Sequence, residues 1–325
     1  VIVKKIRHRI ETFLVNFGVW WLPKLSRGQV LILSKVVGML AFAIDYRGRG
    51  AAIANLMVAF SSENITPDQA RRIAIGSFQN FARTFLDLFW IAGHPKEELP
   101  QIAKLFWQDP KTPAMAKSRG ALWVTPHYGN FEILNLIVGL QGFTQLTIAQ
   151  DFKNEALTDI FARLRQKTGH EIIPQQGAML RIFKQLKRSG HASLLADLTV
   201  KPGRAATVIE CFGLKTCVPN LHTSLAFRLG LPLLPATALP LSDGTYRCHF
   251  LDPMEASDYP TINVMTQAVW DRFEPQIRQH PECWMWMYKH WRYLPGTEND
   301  PRYPTYANPN RQFREMLSVS QLTPQ

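Results

Sequence analysis

Apolar positions divide this chain into two textures. Up to about residue 110 they recur at helical spacing. Thr66-Pro67-Asp68-Gln69 predicts a helix start, with Thr66 as N-cap, Pro67 at the first position and Gln69 reaching back. Ile73, Phe78, Phe81, Phe85, Leu88 and Phe89 then follow a period near 3.6, until Gly93 and Pro95 stop it. These aromatics predict a core face or the wall of an apolar groove. From Ala121 the texture becomes alternation. Strands are predicted at 121–125, 146–149, 171–173, 192–196, 233–239 and 247–251, with helices at 131–140, 156–167, 179–188 and 219–229. Strands alternating with helices argue for an α/β layered sheet. Residues 297–325 place Pro301, Pro304, Pro309 and Pro324 among polar residues and predict a loose tail. The expected organisation is a helical portion over 1–110, an α/β portion over 111–296 integrated with it in one domain, and the tail over 297–325.

The N-terminal helices have a second property. Lys4, Lys5, Arg7 and Arg9 precede the apolar stretch Phe13 to Leu22, and a second run, Val30 to Ile44, is interrupted by Ser34 and Lys35. Neither supplies the ~20 clean apolar residues of a spanning helix, and neither shows the apolar core and cleavage site of a signal peptide. Trp20, Trp21 and Lys24 stand like interface anchors, so the expectation is a helix that dips into or barely crosses a bilayer.

Charge narrows the partners. The 325 residues carry 37 Lys and Arg against 25 Asp and Glu, a net charge of +12, which predicts a polyanionic partner. The basic residues are scattered between apolar runs and no nucleic-acid reading module is present, so an anionic bilayer or an acidic carrier is favoured over nucleic acid. Apolar residues at 46% exclude wholesale disorder. Cys211, Cys217, Cys248 and Cys283 have no CxxC or zinc spacing and read as reduced core thiols. There is no internal repeat, Walker A, GxSxG or HExxH pattern. Arg47-Gly48-Arg49-Gly50 follows a helix rather than a strand and reads as a loop between helices.

The chemistry concentrates in Thr125-Pro126-His127-Tyr128-Gly129-Asn130-Phe131-Glu132, where a strand ends and an apolar helix begins. That is the ligand-facing edge of an open α/β sheet. Gly129 permits a sharp turn that can bring His127 and Glu132 together. A carboxylate accepting from one ring nitrogen of His127 would fix its tautomer and leave the other nitrogen as a general base. With no Ser or Cys beside it as nucleophile, direct attack by a bound hydroxyl fits better than a covalent intermediate. Backbone N–H groups at Gly129 and Asn130 are candidate oxyanion donors from their position in the turn. Lys201 and Arg204 follow the strand that ends near Asp197 and should project from the same sheet edge. Arg163 and Arg165 lie about 200° apart on their helix, so at most one faces the site.

The HX4E segment from His127 to Glu132 resembles the catalytic box of the lysophospholipid acyltransferase superfamily. Its Glu is similar to that of the late (lauroyl/myristoyl) acyltransferases of lipid A biosynthesis. The resemblance spans roughly residues 2–296. It includes Asn55-Leu56, Ala59-Phe60, Arg163 and Arg165 before Gly169, Leu194 to Asp197, Cys211-Phe212-Gly213, Val218-Pro219, Trp284-Met285-Trp286 and His290-Trp291-Arg292. It implies a mixed sheet with flanking helices behind N-terminal membrane-docking helices, on the cytoplasmic face of a bacterial inner membrane. It further implies acyl transfer from acyl carrier protein or acyl-CoA to a hydroxyl of a lipid acceptor, first of all a lipid A precursor, without metal or cofactor. His127 would deprotonate the acceptor and Glu132 would orient His127; Arg165, Asp197 and Arg204 are candidate substrate contacts. Two departures stand out. Gln150-Asp151-Phe152 replaces a Tyr-Arg-Pro, and Asp197-Leu198-Thr199 replaces an Asp-Gln-Asp. They leave room for another glycolipid acceptor, such as a phosphatidylinositol mannoside, or for a non-catalytic lipid-binding protein on the same fold.

Overall fold

The computed structural model describes residues 2–149 and 152–322; of the Gln150-Asp151-Phe152 departure, Gln150 and Asp151 lie outside the described residues. Four helices open the chain: α1 (Ile2–Trp21), α2 (Arg27–Ile44), α3 (Tyr46–Ala59) and α4 (Pro67–Ala92). The start of α4 is the expected capping box. The Thr66 hydroxyl accepts from the Gln69 N–H, and the Gln69 side chain accepts from the Thr66 N–H. Ser26 and Gln29 cap α2 in the same way. Helices α2 and α4 lie so close that a Cβ on Gly38 would come within 2.4 Å of the Gln79 Cα. Arg47-Gly48-Arg49-Gly50 is the first turn of α3 rather than a loop, because the Asp45 carboxylate accepts from the Gly48 N–H and starts the helix there.

The rest alternates. In order come α5 (Leu99–Ile102), β1 (Ala103–Trp107), α6 (Thr112–Arg119), β2 (Ala121–Thr125), α7 (Phe131–Leu140), β3 (Gln145–Ala149), α8 (Glu155–Arg165), β4 (Glu171–Pro174), α9 (Ala178–Leu186) and β5 (His191–Leu195). A hairpin, β6 (Ala206–Cys211) and β7 (Leu214–Pro219), precedes α10 (Leu221–Leu229), β8 (Leu233–Pro240), β9 (Tyr246–Phe250) and α11 (Ile262–Gln279). The chain closes with β10 (Tyr293–Leu294), β11 (Asn308–Pro309) and α12 (Arg311–Leu322). Seven strands form one sheet in the order β1-β9-β8-β2-β5-β3-β4. Every pairing is parallel except β8 with β9, so the sheet is mixed and flanked by helices, as expected.

Three expectations need correction. Strand β1 lies inside the portion read as helical, because it forms through its ladder with β9, far along the chain, where local periodicity carries no signal. The hairpin β6–β7 was not expected; its two-residue turn, Phe212-Gly213, has positive φ at both positions, the geometry of tight hairpins. The Pro-rich tail is ordered over much of its length: β11 pairs with β10, and α12 buries Phe313 against Ala206 and Cys217 of the hairpin. The four thiols are free and buried.

Side-chain alternation along the sheet creates two cores. Leu122 and Val124 enter one with Trp284, Trp286 and Trp291; Ala121 and Trp123 enter the other with Ile133, Ile137 and Leu88. The outer faces of the first two helices are left uncovered. On α1, Phe13, Leu14, Phe17 and Trp20 are exposed at helical spacing, and on α2 so are Ile32, Val36, Leu40 and Ile44. Among the described residues α2 is the one helix long and apolar enough to cross a membrane.

Candidate active site

The turn between β2 and α7 is held at almost every polar group. Gly129 has φ +59°, and a Cβ there would lie 1.8 Å from the Ala238 carbonyl oxygen, so only glycine fits. The Gly129 N–H donates to the Cys283 carbonyl at 2.8 Å and the Asn130 N–H to the Ala238 carbonyl at 2.9 Å. The Gly129 carbonyl accepts from the Asn80 amide and the Thr84 hydroxyl, both at 3.1 Å. Asn130 caps α7, accepting from the Ile133 N–H at 3.0 Å, and its amide is held by Tyr246 and by the buried Asp87, which is paired with Arg27. The expectation that the Gly129 and Asn130 N–H groups stabilise an oxyanion is therefore corrected. Both donors are spent on carbonyls that anchor the turn.

His127 is placed by a different carboxylate from the one expected. Its Nδ1 lies 2.7 Å from Asp197 Oδ1, and its backbone N–H donates to Asp197 Oδ2 at 2.8 Å. Oδ2 also accepts from the Trp284 indole at 2.8 Å, and Trp284 is stacked on His290 at 3.9 Å. Parallel pairing explains the meeting. Thr125 and Leu195 are register partners at the ends of β2 and β5, and His127 and Asp197 each lie two residues beyond them. Burial pushes the Asp197 carboxyl up, but the His127 ring and the Trp284 N–H outweigh it and hold it below its usual value. An ionised Asp197 only accepts, so the His127 proton sits on Nδ1 and the lone pair on Nε2.

Glu132 sits in the first turn of α7, as expected, but it does not reach His127. Its carboxylate, 5% exposed, faces α8 and takes three hydrogen bonds from Arg165: Nε at 3.1 and 3.0 Å and Nη2 at 2.6 Å. Burial works against the Arg165 charge; Glu132 more than offsets it and holds the guanidinium above its ordinary value. Glu132 and Arg165 thus clamp α7 to α8 beside the cavity. Arg163 is exposed, in keeping with one arginine of the two facing inward. Lys201 and Arg204 are exposed and do not line the cavity, because the chain after Asp197 turns away into the hairpin.

His127 opens onto a cavity of about 750 Å³, the scale of a site for an organic ligand. Phe81 and Phe85 of α4 form one wall, as the groove reading expected, with Phe131, Leu134 and Val138 of α7 above the sheet. The cavity can hold a long apolar group with one end at a histidine whose free nitrogen is a base. Asp197 was expected as a substrate contact, and its pairing with His127 was missed. Equal overhang beyond adjacent parallel strands was the available signal.

Residues 3–293 match the bacterial lipid A biosynthesis acyltransferase family, and the chain belongs to it. Among curated proteins it is similar to a phosphatidylinositol mannoside acyltransferase of Mycobacterium tuberculosis, 28% identical over 55% of this chain and 56% of that protein; the chain thus spans little more than half the length of that relative. The corresponding protein of Mycolicibacterium smegmatis is 26% identical over 69% of this chain and 73% of its own. The crystal structure of the 1-acyl-sn-glycerophosphate acyltransferase PlsC from Thermotoga maritima aligns with 80% of this chain and 99% of its own, with TM-score 0.37 and 13% identity.

Proposed function

We propose that this protein transfers a fatty acyl group from a thioester, carried by acyl carrier protein or coenzyme A, to a hydroxyl of a membrane glycolipid. The observation that carries the reading is the His127–Asp197 pair at the mouth of an apolar cavity inside a family of acyltransferases. The acceptor hydroxyl gives its proton to His127 Nε2 as its oxygen attacks the thioester carbonyl. The C–S bond then breaks, the ester remains on the acceptor, and the imidazolium returns the proton to the departing thiolate. Asp197 keeps the ring in the required tautomer and stabilises the imidazolium. Glu132 acts through Arg165, as a positioning residue for α7 and α8. The apolar faces of α1 and α2, with Lys24 over the Trp20 ring at 3.2 Å, suit docking on an anionic cytosolic leaflet, the inner face of a bacterial inner membrane.

A lipid A precursor and a phosphatidylinositol mannoside are the two acceptors to compare, the first from the family and the second from the mycobacterial relatives. Purified protein with labelled acyl donors should acylate one of them. His127→Ala should lower the rate by about 10²–10⁴ while the protein remains folded, the contribution of a positioned general base. Transfer within twofold of the parent would refute the assignment.

A further inference from the structure

The apolar cavity has a polar patch where a plain hydrocarbon chain would lie. Trp123, Ser193 and Thr147 are register partners across β2, β5 and β3, so their side chains share the sheet face under α7. They lie two residues inward from the strand ends, about 7 Å deeper than Thr125 at ~3.3 Å per residue. Thr147 Oγ1 is 2.6 Å from Ser193 Oγ, and Ser193 Oγ reaches Asn135 Oδ1 of α7 at 3.4 Å. Run in that direction, the chain leaves two groups unused: the Asn135 amide N–H donors and the lone pairs of Thr147 Oγ1. Asn135, Thr147 and Ser193 are only half-buried and line the cavity. Beside them Trp123, 4% exposed, leaves Nε1 without a partner, and two residues deeper on β3 Gln145, 3% exposed, leaves Oε1 without one.

Resting on the acyl-transfer reading, we infer that this patch recognises a hydroxyl within the acyl chain, and that the preferred donor is a hydroxylated fatty acyl thioester. A hydroxyl both donates and accepts, which matches the Asn135 N–H donors and the Thr147 oxygen. An unsubstituted methylene chain would strip water from these groups and return no hydrogen bond, a loss of about tenfold in binding. With the carbonyl at His127 the patch falls beyond the first several carbons, so the hydroxyl is in mid-chain rather than beside the carbonyl.

The test uses the purified full chain and a bound fluorescent fatty acid, displaced by octadecanoic acid and by a series of its hydroxy isomers. One mid-chain isomer should displace at about tenfold lower concentration than the parent acid. Asn135→Leu should remove that preference, and Ser193→Ala, a smaller change that is safer for folding, should weaken it. Octadecanoic acid displacing as well as every isomer would overturn this inference alone and leave the patch to bound water. Failure of any fatty acid to displace would overturn the acyl-cavity reading with it.

Discussion

Replacing Asp197 by asparagine separates the two carboxylates that compete for the role of histidine partner. Oδ2 accepts two hydrogen bonds, from the His127 N–H and the Trp284 indole, whereas Oδ1 faces His127 Nδ1 alone. The new amide can keep its oxygen at the Oδ2 position only by turning its NH₂ group towards Nδ1. The opposite orientation would set one NH₂ group against two donors at 2.8 Å. The favoured arrangement makes Nδ1 an acceptor and puts the ring proton on Nε2, where the base must be free. Geometry survives and the tautomer is wrong. In the serine-protease triad the equivalent change costs about 10⁴ in kcat, roughly 5 kcal/mol at 1.36 kcal/mol per decade. The same loss is expected here, measured as transfer of a labelled acyl chain by purified Asp197→Asn protein whose thermal midpoint is checked beside the parent. Activity within tenfold of the parent, in a folded variant, would refute the relay through Asp197.

Glu132→Gln should act mainly on stability. It leaves the Arg165 charge, 16% exposed, without its partner, at a cost of about 3 kcal/mol, and should lower the thermal midpoint by several degrees. Its pH–rate profile should keep the parent's shape; a loss as large as that of Asp197→Asn without loss of stability would return Glu132 to the histidine. Acid should destabilise the protein below pH 6.5. His222 and His290 are buried and neutral, and burial lowers both to about 4. The unfolded chain takes up protons below pH 6.5 that these rings refuse until about pH 4, so stability falls across that window, by roughly 3 kcal/mol for each ring. Asp197, also held low, adds to the loss as pH falls through its folded value. A thermal midpoint flat from pH 7 to 4.5 would contradict this. Replacing both Trp20 and Trp21 by serine should shift the protein from anionic vesicles to the supernatant in flotation assays; unchanged partition would place the docking surface elsewhere.

Local pattern carried far in this protein. The α4 start at Thr66, the strand-to-helix turn at His127 and the core strands β2, β3, β5 and β8 are set by capping chemistry and by runs of apolar residues, both properties of neighbours in the chain. The same holds for the uncovered apolar faces of the first two helices, since their spacing alone defines a stripe. The HX4E segment marked where the cavity and its histidine lie, and Gly129 marked how tightly the turn is bent. What the sequence by itself determined was therefore the position of the candidate site and the histidine that faces its cavity.

Only the tertiary structure decided what each charged group touches. Glu132 lies five residues from His127 and yet pairs with Arg165, whereas Asp197, seventy residues away, takes the imidazole. Parallel strand register brought those two together, and register is a long-range property that no local window contains. The same reason hid β1, which exists through β9, and the hairpin against which α12 buries Phe313. It also removed the Gly129 and Asn130 donors from the chemistry. Whether a backbone N–H is free depends on which carbonyl the fold sets opposite it, and here Cys283 and Ala238 arrive from distant parts of the chain.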